Sequence, residues 1–188
     1  MIRHSGNQHF LIDESFIKVI INLMKKIKIN VKFVVTFCVV VALVVLFDQL
    51  SKYLIGENSY DFLKGFVSIE GGHKNTGAAW SMFSNGTVWL IVISIIFLAA
   101  LFVLNRFIKK PNLLYYISFS MIFGGAIGNL YDRIAFGYVR DFIKLDFMNF
   151  PIFNIADSFL CVGVLLFCIF LIFVEARSGK DKSCCDSK

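Results

Sequence analysis

Four stretches of the chain are apolar for long enough to cross a bilayer, which takes about 20 residues of helix. They cover about residues 31–53, 87–104, 113–130 and 155–174. The first has an unbroken apolar centre at 39–47, and the second is almost wholly aliphatic and aromatic from Val88 onward. None alternates in the manner of a barrel strand. Inside lipid only helices and closed barrels satisfy their own backbone, so the four runs are predicted helices. Between the first two, residues 62–70 alternate loosely and lead into Gly71-Gly72, which predicts a short strand and then a turn. Residues 142–153 are apolar but interrupted by Lys144, Asp146 and Asn149 and broken by Pro151, which predicts an interfacial segment and not a fifth span. The expected fold is an all-α integral membrane protein: four transmembrane helices with a small extracytoplasmic strand cradle.

Composition agrees with this and removes alternatives. A chain of 188 residues that is 57% hydrophobic is no ordinary soluble domain, and one such bundle leaves no room for a second. The net charge of +6 would raise the question of nucleic acid in a soluble protein. Here the basic residues flank the spans: Lys25, Lys26, Lys28 and Lys32 before the first, Arg106, Lys109 and Lys110 between the second and third, and Arg177, Lys180, Lys182 and Lys188 after the fourth. By the positive-inside rule these segments are cytoplasmic, both termini lie inside, and the loops at about 54–86 and 131–154 face outward. No nucleic-acid partner is expected. The five cysteines show no paired spacing of a zinc site, and neither a lipid nor a metal role is favoured for adjacent Cys184 and Cys185. His4, His9 and His73 are scattered, so no metal is expected.

The ends read differently from the centre. Residues 1–23 place Glu14, Lys18 and Asn22 four apart on one helical face, as in an amphipathic surface helix. Met24-Lys25-Lys26-Ile27-Lys28 also looks like a natural start, which would make those residues an extension. No small-residue cleavage site follows, so no removable signal peptide is read. The expected division is an extension at 1–23, a membrane domain at 24–176 and a cytoplasmic tail at 177–188.

The chemistry-bearing residues gather on the predicted outer face. Asp48 and Lys52 are four apart at the end of the first span, where an ion pair with Lys52 snorkelling outward is the favoured reading. Asn75-Thr76-Gly77-Ala78-Ala79-Trp80-Ser81 precedes the second span and reads equally as a turn with an aromatic anchor or as an approach site for another chain. Gly124 and Gly128 form a GxxxG-type face for close helix packing. Asn129, Asp132 and Arg133 follow, more polar groups than a helix end needs. Asp141 and Asp157 lie sixteen positions apart around Pro151, so the intervening loop can fold back and bring them together. Two adjacent carboxylates do not both ionise cheaply, so one keeps a proton while the other acts as base. Alone, Asp157 reads as a helix-capping residue. Its company on one membrane face with Asp141, Asn129, Arg133 and Asn154 favours chemistry.

These blocks together resemble the lipoprotein signal peptidases (signal peptidase II), aspartyl proteases of bacterial membranes. The matching residues are Asp48-Gln49-x-Ser51-Lys52, Asn75-x-Gly77-Ala78-Ala79-x-Ser81, Gly125-Ala126-x-Gly128-Asn129-x-x-Asp132-Arg133, Val139-x-Asp141-Phe142 and Phe153-Asn154-x-Ala156-Asp157, across about residues 30–175. The resemblance implies cleavage of a prolipoprotein before a cysteine that already carries diacylglycerol. It implies Asp141 and Asp157 as the catalytic pair. Asn75, Gly77, Asn129, Arg133 and Asn154 then bind substrate, and Asp48, Lys52 and Asp132 are structural. It also implies a multi-pass protein of the bacterial inner membrane that needs no cofactor and takes globomycin-type inhibitors; contact with membrane lipid and a monomeric state are expected beside it. Two positions depart from the pattern: Trp80 stands where Phe is usual, and Arg140 where an apolar residue is commoner. Two other classes compete: a small transporter or proton or cation relay that uses the carboxylates, and a scaffold without catalysis. A site at the outer face and not at mid-membrane argues against the first, and the polar clustering argues against the second.

Overall fold

The computed structural model describes residues 30–77, 86–108 and 111–183. The amphipathic segment at 1–23, the basic leader, Ala78 to Ser81, Lys109, Lys110, Cys184 and Cys185 lie outside the described residues. The chain divides into two compact units, 1–35 and 36–188. Of the first, only the opening of helix α1 is described, where Asn30 Oδ1 accepts from Phe33 N–H at 3.2 Å. That is an N-terminal cap.

The elements in order are α1 (Val31–Ile55), β1 (Ser59–Leu63), β2 (Val67–Asn75), α2 (Thr87–Leu104), α3 (Leu113–Phe136), β3 (Val139–Leu145) and α4 (Ile155–Ser183). The four helices are each long and apolar enough to cross a membrane. The expected second span coincides with α2. The third runs six residues beyond expectation because Asp132 and Arg133 belong to the helix and face inward. It stops at Gly137, whose φ of 81° puts it in the left-handed region that glycine tolerates, and whose N–H caps Arg133 C=O.

Glycines bring α3 against its neighbours. A Cβ on Gly124 would meet Val44 of α1 at 2.9 Å, one on Gly125 the Ala156 carbonyl of α4 at 2.5 Å, and one on Gly128 Asp48 Oδ2 at 2.7 Å. The small residues read as a GxxxG face therefore serve α1, while Gly125 between them serves α4. Buried Phe119 and Tyr115 extend the core toward the other membrane face, with Tyr115 packed on Phe170 at 5.2 Å between ring centres.

The strand cradle is a three-stranded antiparallel sheet in the order β1-β2-β3. One expectation is corrected here and another is refined. The turn falls at Gly65, not at Gly71-Gly72, and β2 continues through those glycines with an irregular register between Ile69 and His73. Gly71 is required there because a Cβ would run into the Asn58 carbonyl. The segment read as interfacial from residue 142 begins as part of strand β3, paired along β2 from Val67↔Leu145 to Asn75↔Val139. Its remainder folds back, with Phe153 N–H donating to Ile143 C=O at 3.0 Å and Phe153 C=O accepting from Ile143 N–H at 2.8 Å. The fold-back around Pro151 is as the sequence predicts.

Candidate active site

Helix α4 begins with a capping box. Asn154 Oδ1 accepts from Asp157 N–H at 3.0 Å, and Asp157 Oδ2 accepts from Asn154 N–H at 3.1 Å. The carboxylate thus sits at the positive end of the helix dipole. The capping role and the chemical role of Asp157 are compatible, since its Oδ1 is left for Asn129 Nδ2 at 2.7 Å. Asp141 reaches the same place from β3. It is diagonal to Asn75 across the β2–β3 ladder, and Asn75 Nδ2 donates to its Oδ2 at 2.8 Å. Asn154 Nδ2 donates to Asp141 Oδ1 at 2.6 Å, made possible by the folded-back loop. Asn154 therefore bonds to both carboxylates.

Each amide has its orientation dictated by a group that can only donate. Gly77 N–H at 3.0 Å holds Asn75 Oδ1, and Asp157 N–H holds Asn154 Oδ1. The Lys52 ammonium at 3.3 Å, with Asn154 Nδ2 at 3.0 Å, holds Asn129 Oδ1. The NH2 end of every amide must then face a carboxylate. Asp141 is only 2% exposed. Burial pushes its carboxyl up to about 6, and the charge of Asp157 adds to the rise. The amides of Asn75 and Asn154 and the charge of Lys52 pull it partly back.

Arg133, Asn75, Asp141 and Asp157 line one cavity of about 480 Å³, whose other walls are apolar residues of 150–153, Leu145, Ser158 and Cys161. The Arg133 guanidinium makes no hydrogen bond or ion pair among the described residues, so its fork of donors faces the cavity unengaged.

Behind the amides lies an ionic cluster. Asp48 and Lys52 pair at 2.8 Å with both side chains fully buried, and Lys52 lies 3.2 Å from Asp132. The sequence expectation that Lys52 snorkels outward is therefore wrong. Its ammonium turns inward because two buried carboxylates and Asn129 satisfy all three of its hydrogens. Asp48 Oδ1 accepts from Ala156 N–H at 3.0 Å, which ties α1 to the start of α4. Gln49 and Arg140 complete the cluster on Asp132. In the sequence Gln49 carries no signal apart from its place in the motif, and Arg140 stands out only as a departure from a pattern.

Fold and site together define a multi-pass membrane protein with two amide-held carboxylates at the mouth of a helix bundle. A family model described as Signal peptidase (SPase) II matches residues 40–173. The lipoprotein signal peptidase of Enterococcus faecalis is 40% identical over 158 residues, covering 80% of this chain and 97% of that protein. That of Staphylococcus aureus is 40% identical over 159 residues, covering 80% and 95%. A bacterial membrane enzyme solved by the in meso method at 2.3 Å resolution superposes with a TM-score of 0.66 at 38% identity, over 76% of this chain and 90% of the other. A second, at 1.9 Å resolution, gives 0.62 at 40% identity, over 72% and 92%. The chain belongs to the signal peptidase II family, and is a multi-pass protease of the bacterial inner membrane.

Proposed function

We propose that Asp141 and Asp157 are the catalytic pair with which this signal peptidase removes the signal peptide from prolipoproteins, cutting before the lipid-modified cysteine. The observation that carries the reading is Asn154, which bonds to both carboxylates at the wall of one cavity. One carboxylate, ionised, takes a proton from a water molecule, and the resulting hydroxide oxygen attacks the scissile carbonyl. The other carboxyl, protonated, donates to the developing oxyanion. Collapse of the tetrahedral intermediate breaks the C–N bond as the leaving amine receives a proton from the pair. The amides of Asn75, Asn129 and Asn154 hold the carboxylates still. Arg133 offers its free fork to a backbone carbonyl of the substrate.

The same reading places both termini in the cytoplasm and the pair at the outer membrane face, from the basic flanks. Lipid tails of the substrate stay among the helices, so remote binding energy positions the bond. Globomycin-type inhibitors occupy the cavity of Arg133, Asp141 and Asp157, and the enzyme works as a monomer. Residues 24–176 suffice for activity, and a chain starting at Met24 complements a strain lacking its own enzyme. A proton or cation relay is less well supported, since Asp157 sits at the first turn of α4 and Asp141 on β3, neither at mid-span.

The test is cleavage of a diacylglyceryl-modified precursor by purified protein in detergent. Asp141→Asn and Asp157→Asn are each expected to lose on the order of 10³-fold or more in rate while staying folded. Near-normal cleavage by either variant would remove that residue from the pair.

A further inference from the structure

Arg140 stands beside Asp141 in β3 but does not line the cavity of the pair. Its guanidinium grips buried Asp132 with two nitrogens, Nη2 to Oδ1 at 2.8 Å and Nε to Oδ2 at 3.2 Å. Its backbone N–H donates to the same Oδ2 at 3.0 Å, and Nη2 also donates to Gln49 Oε1 at 2.7 Å. The ring of Phe136 lies 4.5 Å from the guanidinium carbon. Taking the pair above as the catalytic one, we propose that Arg140 is a positioning residue for both of its members. It fixes Asp141 through the backbone, and Asp157 through Asp132, Lys52 and Asn129.

The direct path answers a weakness in the sheet. The β2–β3 ladder is irregular between Ile69 and His73, and resumes only at His73↔Asp141. Asp141 thus sits where the ladder re-enters, with irregular pairing on one side of it. Anchoring residue 140 to the end of α3 by a main-chain bond and a two-pronged ion pair removes the freedom of β3 to shift there.

The indirect path follows from charge. Two fully buried carboxylates, Asp48 and Asp132, both contact Lys52. Arg140, partly exposed, supplies the second cation, so the charges of the cluster balance two against two. Without it, Asp132 draws harder on Lys52. The contact that gives way is the longest of the three Lys52 makes, 3.3 Å to Asn129 Oδ1, against 2.8 Å to Asp48 and 3.2 Å to Asp132. Asn129 then loses a donor that fixes which end of its amide faces Asp157.

The experiment compares Arg140→Gln, Arg140→Lys and the double variant Arg140→Gln/Asp132→Asn with wild type, on the lipid-modified precursor and at matched folded concentration. Arg140→Gln is expected to lower kcat roughly 10- to 100-fold with KM within about twofold, because the cavity is untouched. Arg140→Lys keeps the charge and the fold but cannot grip both oxygens and Gln49 at once, so its kcat falls less, with KM again unchanged. The double variant should recover at least about fivefold of the lost kcat, since a neutral amide at position 132 no longer competes for Lys52. Should Arg140→Gln fail to fold, the kcat of Arg140→Lys decides alone. A kcat within twofold of wild type in the folded Arg140 variants, a loss confined to KM, or a double variant no better than the single one would each overturn the proposal. Asp141→Asn and Asp157→Asn assayed alongside separate the two readings. Activity surviving there overturns the pair itself, whereas their loss beside unaffected Arg140 variants overturns only the role of Arg140.

Discussion

Helices α2 and α3 cross the same bilayer and are built on opposite principles. Helix α2 buries only Leu90 in the protein, whereas 61% of the most apolar stretch of α3 is buried, although α2 is the most hydrophobic of the four spans and α3 the least. In water this order would be a contradiction. In lipid it is expected, because the surroundings of α2 are as apolar as its side chains, and association rests on close packing and polar contacts. The helix that carries Gly124, Gly125, Gly128, Asn129, Asp132 and Arg133 is central because it is polar and small, not because it is greasy. Polarity in a membrane helix therefore marks the protein interior, and here the interior holds the site.

The strongest way to break this comparison is to strip the polar interior of one charge. Asp132→Ala leaves Arg140 and Lys52 facing each other without their shared carboxylate; Lys52 is fully buried and Arg140 about a quarter exposed. Removing one partner of a buried pair costs about 3–5 kcal/mol. Thermal unfolding in detergent is expected to show a loss of that order. A loss under about 1 kcal/mol, the range of an exposed pair, would mean that water reaches the cluster.

The pH dependence of stability sharpens the contrast between site and scaffold. Asp141 rises in the folded state to about 6, from an ordinary value of 3.8, through its burial, with Asp157 opposing its charge and Asn75, Asn154 and Lys52 supporting it. A raised carboxyl binds its proton more tightly when folded. Its contribution is therefore fully present below about pH 4 and is lost as pH rises through about 6, on the order of 3 kcal/mol at most. The difference in stability between wild type and Asp141→Asn should fall across that window and flatten above it. A difference that stays level across the same window would place Asp141 in a wetter setting than its 2% exposure indicates.

Close approach of α3 to its neighbours gives a third, smaller effect. Gly128→Ala puts a methyl group 2.7 Å from Asp48 Oδ2 and 3.2 Å from the Ala156 side chain. Overpacking of this kind costs about 1–3 kcal/mol. Activity should fall along with stability, because Asp48 also holds the first turn of α4 through Ala156 N–H. An unchanged melting temperature would show that α1 yields freely.

Much of this is readable from the residues alone, and the misses have physical causes. The extent of α2 is legible to the residue because a lipid-facing span ends where apolar residues end. Hydropathy cuts the third span short at 130 because its last six residues include Asp132 and Arg133, whose burial no hydropathy pattern reveals. Gly137 marks the true end. The turn expected at Gly71-Gly72 falls at Gly65. Gly65 and Gly72 share nearly the same positive φ, 81° and 77°, so sequence cannot tell a hairpin turn from a bulge. Strand β3 shows no clean alternation, since Val139, Asp141 and Phe142 are all buried. The two aspartates and their asparagines stand out because polar groups among apolar runs need a reason. The grip of Arg140 on Gln49 does not, being a contact between residues 91 positions apart.

The smallest prediction tests the comparison on equal terms, by deleting the same methyl group from each helix. Ile122 of α3 is 5% exposed and Ile96 of α2 is 61% exposed. Ile122→Val removes packing that nothing replaces, because Gly163 of α4 lies so near that a Cβ there would come within 2.9 Å of Ile122. Its expected cost is about 0.5–1.5 kcal/mol. At Ile96 a lipid or detergent chain fills the space the methyl leaves, with no water to exclude on either side of folding. Its cost should stay within about 0.5 kcal/mol. Chemical or thermal unfolding of both variants in the same detergent measures the difference. Equal costs would mean that the outward face of α2 packs against protein, and that the hydropathy order of the two helices has some cause other than lipid contact.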